Sequence, residues 1–597
     1  MTHTLFHRAI ITLKYVLPGE RLRDLAFAAR RHPAREMSRA VRPLCLAFAI
    51  LCSSAAPALA DSCRVTAPHS PGDAEKALFE SDYSKAETLF RAALAATPGD
   101  PALAAGLIHA LLGEQEVSEA ETVWKAANQS SPKSAILLTA RGEIDYREGL
   151  IVESDQASRN ALDADFCFPR AHLLRARLAR LNSMYAVERR EINIAHSLDP
   201  TEPNIRMDWI STLPLPKRIE EIKKSLNGPL SIGDEERRRT QTYLDELEKR
   251  NAEPQRSCRI ASTATSAEIP FEPILSADGT RTAAWGLIVK FNDKGAKLEV
   301  DTGASGLYIS RAIAEKAGLK AVASSQVYGI GDRGPEKGFV AYVDSIRIGN
   351  LEFRDCEVEV SDRKSITSSD GLIGMDIFAD FLVSLNYPLH KLNLSPLLPR
   401  PDERAAPVAM RTGASGQDPS EGTVAESPNP ENAKAGESKD DSHKASMSGP
   451  RDRYIAAETR NWTPVFRIGH NLILPTTLNN KITKLFILDT GAGYTGVSTQ
   501  AAGEVTRVYN SDMIVTGVSG KVKNVYVAGN IQIQFADKSQ EMGDVTVMDF
   551  SNLSRGLGME ISGLIGSSAL KFLTIQLDYR DGLVKFDYDP RSGSNRP

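Results

Sequence analysis

Cysteine is scarce in this chain, six in 597 residues, and tryptophan scarcer at four. The cysteines are nowhere spaced as Cys-x-x-Cys, which excludes the close-spaced zinc patterns. His-Glu-x-x-His is missing and the ten histidines are scattered, so neither a metal nor a cofactor is expected. Without a Gly-x-Ser-x-Gly elbow, serine hydrolase chemistry has no foothold. Charge of one sign is also missing: 72 basic against 76 acidic residues leave a net charge of -4, which gives no electrostatic footprint for nucleic acid. Long apolar runs are absent too. The run from Leu44 to Cys52 is about half of the ~20 residues that cross a bilayer, so no stable membrane span is expected.

What that short run does fit is export. Arg31, Arg35, Arg39 and Arg42 precede it, and Ala58-Leu59-Ala60 follow before Asp61. Basic flank, apolar stretch and small-residue cleavage site stand in the order of a secretory signal peptide. Residues 1–60 are therefore read as a leader, with Met37 as a candidate true start, cleavage near Ala60 and a periplasmic or secreted product. Cys63, Cys167, Cys258 and Cys356 remain after cleavage. One or two disulfides are expected, and four cysteines allow three full pairings among which spacing does not choose.

At this length the chain is multidomain. Residues 70–250 are rich in Ala and Leu with helical periodicity, and they repeat. Ala86, Phe90, Ala93 and Pro98 recur 34 residues later as Ala120, Trp124, Ala127 and Pro132. Ala157, Ala161, Ala164 and Pro169 follow at a spacing of 37, then a degenerate Ala195 and Pro200. Small residues let paired helices approach, an aromatic fills between them, and proline ends a helix. The region resembles the tetratricopeptide repeat family, an α-solenoid. Amphipathic stretches near Ile219–Leu226 and Glu235–Lys249 are expected to close the stack. Such a stack offers a surface for a protein partner, or serves as a spacer.

From about Ile269 the pattern changes to short runs of Val, Ile, Leu and Thr broken by Gly, Asn and Asp, which is all-β character. Two blocks, 265–397 and 455–591, flank a segment, 398–454, of Pro, Gly, Ser, Ala and charged residues that cannot bury a core and reads as a disordered linker. Its reach of about 40 Å lets the blocks meet. The blocks repeat each other. Leu298-Glu299-Val300-Asp301-Thr302-Gly303-Ala304 is echoed by Phe486-Ile487-Leu488-Asp489-Thr490-Gly491-Ala492, an offset of 188 that also carries Ser310 onto Ser498. Gly371-Leu372-Ile373-Gly374 then maps onto Gly563-Leu564-Ile565-Gly566 at an offset of 192, which holds through Tyr387 and Tyr579. One net insertion between ungapped stretches points to a tandem duplication.

A single Asp-Thr-Gly also occurs in plain turns. Twice, each with its Gly-Leu-Ile-Gly about 70 residues on, it resembles the retropepsin-like aspartic proteases, one lobe per block. The resemblance implies an aspartic endopeptidase in which Asp301 and Asp489 are the catalytic pair. It implies that Thr302 and Thr490 cross-bond the lobes beneath the carboxylates while Gly303 and Gly491 give the backbone room. It makes the hairpins at Tyr328, Gly329 and Gly331, and at Gly517 and Gly520, flaps over a peptide or protein substrate. Two alternatives stay open. Each lobe could pair with its twin in a second chain as a homodimer. Or the lobes and repeats could be a non-catalytic peptide-binding scaffold.

Overall fold

Small residues at helical spacing can pack only as closely paired helices, and the chain begins that way. The computed structural model describes residues 63, 71–228, 233–252, 258–276, 279–327, 336–361, 369–401, 451–517 and 520–588. The leader, Met37 and Ala60, and most of the expected linker lie outside the described residues. The helices are α1 (Asp73–Phe79), α2 (Tyr83–Ala96), α3 (Pro101–Gly113), α4 (Val117–Ser130), α5 (Ala135–Arg147), α6 (Ile151–Ala164), α7 (Pro169–Leu181), α8 (Tyr185–Leu198), α9 (Pro203–Ser211), α10 (Leu215–Asn227) and α11 (Asp234–Ala252). Proline opens α3, α7 and α9, where its missing N–H leaves no bond unmade. Asp100 caps α3 through Ala102 N at 2.8 Å and Leu103 N at 3.1 Å. The repeated Ala86, Ala120, Ala161 and Ala195 are fully buried between helices. Trp124, the recurring aromatic, donates from Nε1 to Leu137 O at 2.8 Å and so ties α4 to α5. Among the described residues no helix is long and apolar enough to cross a membrane.

After α11 the chain turns to β structure. In lobe 1 the acidic strand Lys294–Asp301 is the second arm of a hairpin with Thr282–Phe291, turning at Asn292 and Asp293, both with positive φ. That is the backbone twist a two-residue hairpin requires, and Asn and Asp tolerate it. The acidic strand pairs in parallel with Gly371–Gly374, which pairs antiparallel with Leu307–Ser310. In lobe 2, Asn471–Leu478 and Ile482–Leu488 form the same hairpin around Asn479 and Asn480. Gly563–Ile565 runs parallel to that acidic strand and antiparallel to Gly496–Ser498.

The two lobes meet within one chain. Phe381–Asn386 pairs antiparallel with Leu573–Asp578, Ser384 opposite Gln576, at the centre of a six-stranded sheet shared by both lobes. Buried side chains of the two lobes form one continuous apolar cluster around it, including Val383, Leu385, Ile575 and Leu577. Ahead of lobe 1's first long strand, Arg259–Ile260 pairs with Phe353 and Arg354, and Cys258 is bonded to Cys356. Cys63 and Cys167 are disulfide-bonded as well.

Helices and lobe 2 share a core. Ile151, Leu174, Leu178 and Leu181 pack with Ile473, Leu485, Ile487 and Leu564. Across this seam Glu560 N donates to Arg147 O at 2.8 Å, and Arg453 N donates to Ser183 O at 2.9 Å. Helix α8 has no capping side chain at its own N-cap, Met184. Its free N–H groups at Ala186 and Val187 donate instead to Asp452 Oδ1, at 2.9 and 3.2 Å. The end of the expected linker is thus built into the helix stack, and its start is held where Arg580 donates to Leu398 O at 2.7 Å.

Candidate active site

Each acidic strand ends where its backbone turns through Thr-Gly, and the two turns face one another. Thr302 N donates to Thr490 Oγ1 at 3.0 Å and Thr490 N donates to Thr302 Oγ1 at 3.0 Å. The hydroxyls then donate across the lobes, Thr302 to Leu488 O at 2.7 Å and Thr490 to Val300 O at 3.1 Å. All four bonds are buried. A buried hydroxyl and amide left unpaired would each cost about 1–3 kcal/mol, so this reciprocal set strongly fixes the distance between the loops. Gly303 and Gly491 lie against the opposite carboxylate. A Cβ on Gly491 would stand 2.4 Å from Asp301 Cγ, and one on Gly303 would stand 2.9 Å from Asp489 Cγ. Any side chain there would occupy the space of an acid.

The carboxyl groups of Asp301 and Asp489 are half-buried side by side, close enough to shift each other's titration. Burial pushes Asp301 up to about 8, helped by the charge of Asp489. Burial raises Asp489 as well. Two carboxylates sharing one dry site cannot both ionise cheaply, so the pair retains a proton near neutral pH. Backbone donors are distributed unequally. Gly303 N donates to Asp301 Oδ1 at 2.7 Å. Asp489 receives Ala492 N at 2.9 Å and a further bond from the Gly491 backbone. More donors favour the charged form, so the two loops hold their carboxyl groups in unequal surroundings.

Four supporting groups could not be read from the sequence. Asp376, just past Gly-Leu-Ile-Gly, accepts from Ser305 Oγ at 2.9 Å and Gly306 N at 2.8 Å, and so holds the loop that follows Asp301. Ser568 does the corresponding work in lobe 2, accepting from Thr495 N at 2.9 Å. Tyr387 is buried beside the Thr490 side chain. His470 reaches from lobe 2 to Gly303 O at 3.0 Å. The offset of 188 puts Thr282 at the matching position of lobe 1, so the imidazole belongs to lobe 2 alone. Asp376 lies in a run that the offset of 192 picks out, whereas nothing around His470 marks it.

Of the flap residues, Tyr328, Gly329 and Gly331 lie outside the described residues. The strands leading to them, Ala321–Val327 and Glu336–Ile348, form an antiparallel pair, Val327 opposite Glu336. In lobe 2, Gly517 pairs with Gly520 and Thr516 with Lys521 in a two-stranded hairpin. Gly520 has a φ of 102°, a conformation that suits glycine. Among the described residues no group of three or more His, Cys, Asp or Glu could hold a metal ion.

Comparison with known proteins separates the two halves of the chain. Residues 77–144 match the tetratricopeptide repeat family model, and residues 287–377 match the aspartyl protease family model. No curated protein matches the chain. Among solved structures, a thermophilic TPR protein of Thermus thermophilus is 19% identical, covering 28% of this chain and 90% of that one at a TM-score of 0.23. An aspartic proteinase from Irpex lacteus is 9% identical, covering 55% of this chain and 99% of that one at a TM-score of 0.29. A retropepsin-like aspartic protease from Rickettsia conorii is 21% identical, covering 23% of this chain and 92% of that one at a TM-score of 0.16. The chain is a tetratricopeptide-type helical repeat region followed by an aspartic-protease-like β region.

Proposed function

We propose that the chain is an exported aspartic endopeptidase with one bilobal site, formed by Asp301 and Asp489 of the same chain. The observation that carries this reading is the reciprocal Thr302–Thr490 bonding beneath two half-buried carboxyl groups close enough to shift each other's titration. Anionic Asp489 takes a proton from the attacking water while protonated Asp301 donates to the scissile carbonyl oxygen and supports the charge that develops there. Collapse of the tetrahedral species returns a proton to the leaving amine. The hairpin that pairs Gly517 with Gly520 closes over an extended substrate and excludes water. A site completed within one chain favours this arrangement over homodimers of single lobes. The matching offsets of 188 and 192 support an origin by tandem duplication. The leader-like segment before Asp61 and the half-cystines support export. The helical repeats hold lobe 2 and offer their remaining surface to a substrate or partner.

The test is replacement of Asp301 or Asp489, separately and together, by Asn, with cleavage of a peptide library followed from about pH 3 to 9. Each single variant should lose at least about 10³-fold and the double variant little more, because acids that act as a unit are not additive. Full activity in either single variant overturns the shared site. Stable peptide binding without cleavage by the parent chain would instead establish the scaffold reading.

A further inference from the structure

Where the helix stack meets lobe 2 there is a cavity of about 600 Å³, walled on one side by α3, α5, α7 and α9 with single turns of α1, α2, α10 and α11, and on the other by Arg467–Gly469 and Leu557–Gly558. Its lining is rich in guanidinium groups, and most are already matched. Arg170 binds Glu143 at 2.6 Å and Glu202 at 2.8 Å. Arg177 binds Asp208 at 2.7 Å, Arg180 binds Glu188 at 2.5 Å, and Arg206 lies 3.7 Å from Glu221. Arg467 donates to the carbonyls of Tyr579 and Gly469. The two carboxylates in the lining, Glu143 and Asp208, are therefore taken, and Glu143 also receives His109 Nε2 at 2.6 Å.

Arg147 is left over. It stands at the last turn of α5, half-buried, and its guanidinium has no ion pair or hydrogen bond among the described residues. Burial and the neighbouring Arg177 hold it below its ordinary value, the signature of a cation short of a counter-charge. Beside these cations the wall is part apolar, with Leu112, Leu174, Ile468 and Leu557, and part polar, with Asn204 and Ser225. A partly dry cation without a partner next to apolar surface is complementary to an anion carried on an apolar body. A carboxylate suits a guanidinium through two parallel N–H···O bonds.

We propose that this cavity binds a carboxylate on an apolar body, with the carboxylate on Arg147. Both a peptide ending in apolar residues and an alkyl carboxylate carry that chemistry. The site needs both walls, so it exists only with lobe 2 docked on the helices. It also borders the catalytic loops. Gly469 is followed by His470, which bonds Gly303 O, and Ile468 packs in the same cluster as Ala492 beside Asp489.

Calorimetric titration of the full chain tests the site without any cleavage assay, so its failure is distinguishable from an inactive dyad. The probes are octanoate and octanamide, Ala-Leu-Leu with a free and an amidated C-terminus, and inorganic phosphate. The acids should bind at least about tenfold more tightly than their amides, and octanoate or the free tripeptide, whichever is tighter, identifies the source. Arg147→Met should weaken the acids at least about tenfold while Arg147→Lys recovers part of the loss, and Asp301→Asn should change neither. Acids and amides binding alike, unchanged binding in Arg147→Met, or phosphate matching the organic acids each overturns the proposal. If Arg147→Met fails to fold, the acid–amide comparison and Arg147→Lys still decide it.

Discussion

Positions 188 residues apart in the two acidic strands carry side chains of opposite character on one face: Lys297 and Glu299 in lobe 1, Leu485 and Ile487 in lobe 2. The other face is apolar in both, Leu298 and Val300 against Phe486 and Leu488, and all four enter the core shared by the lobes. Alternation along a strand explains the split, because successive residues point to opposite faces. In lobe 2 the outer face meets Leu174, Leu178 and Leu181 of α7 and must be apolar. Lobe 1 has no helix stack against that face among the described residues, and its strand keeps a lysine that donates to Pro273 O at 3.1 Å and a largely buried glutamate. The acid loops are alike because the inner faces are alike. The lobes differ where their outer neighbours differ.

Exchanging the outer-face residues should break the symmetry of that comparison most. Ile487→Glu puts a charge into the helix–lobe seam and is expected to destabilise the chain by about 4 kcal/mol in chemical unfolding, as an uncompensated buried charge does. Glu299→Ile should cost less, about 1–3 kcal/mol, the cost of leaving the partner of a buried polar group unpaired. Equal losses in the two variants would show that the helix stack does not brace lobe 2.

The brace of lobe 1 is covalent instead. Cys258 and Cys356 close a loop with a sequence separation of 98. Replacing both by Ser should cost about 3 kcal/mol, chiefly through the entropy of the unfolded chain. Limited proteolysis read by mass spectrometry should then place the first new cuts between residues 258 and 396. First cuts in lobe 2 would contradict the division of labour between bond and buttress.

The glycines sharpen the comparison at the site itself. Gly491→Ala pushes a methyl group toward Asp301, and Gly303→Ala pushes one toward Asp489, with the tighter approach in the first case, 2.4 against 2.9 Å. A displacement of about 1 Å at reacting groups costs roughly 100-fold, just under ~3 kcal/mol of barrier. Gly491→Ala should lose at least that much activity and more than Gly303→Ala. The reverse order would mean that the loops relax unequally.

Much of this was legible in the sequence for physical reasons. Alanine at a period of 34 residues announces close-packed helices, and an acid at a strand end followed by Thr-Gly announces a loop able to approach a twin. The hairpins could be read because Asn292-Asp293 and Asn479-Asn480 are among the few dipeptides that accept two positive φ values. What escaped was everything that depends on tertiary contact between distant segments. Asp452 looks like part of a polar linker, yet it caps a helix 266 residues upstream. His470 and Arg147 sit in unremarkable local patterns, and only docking brings one to the Asp301 loop and leaves the other without a counter-ion. Leu485 and Ile487 read as ordinary strand core, and the stretch alone does not reveal that they face helices.

The smallest effect concerns the pair that both lobes share. Asp301 has a folded-state value of about 8 against an ordinary 3.8, and Asp489 is raised too. Below about pH 4 folded and unfolded chains both hold these protons, so the folded state bears no electrostatic penalty. As pH rises the unfolded chain releases them while the folded pair retains one, and stability falls until about pH 8, above which the curve levels. Asparagine cannot ionise, so Asp301→Asn should flatten this decline. Its Tm relative to the parent should grow by at least about 2 °C between about pH 4 and pH 8, the shift that about 1 kcal/mol gives in a domain of this size. Asp489→Asn should flatten it less, because burial, the larger cause of the Asp301 shift, stays in place when only the neighbouring charge is removed. Equal flattening in the two variants would overturn that inequality and give the retained proton to the pair as a whole, at the one place where the lobes touch the same chemistry.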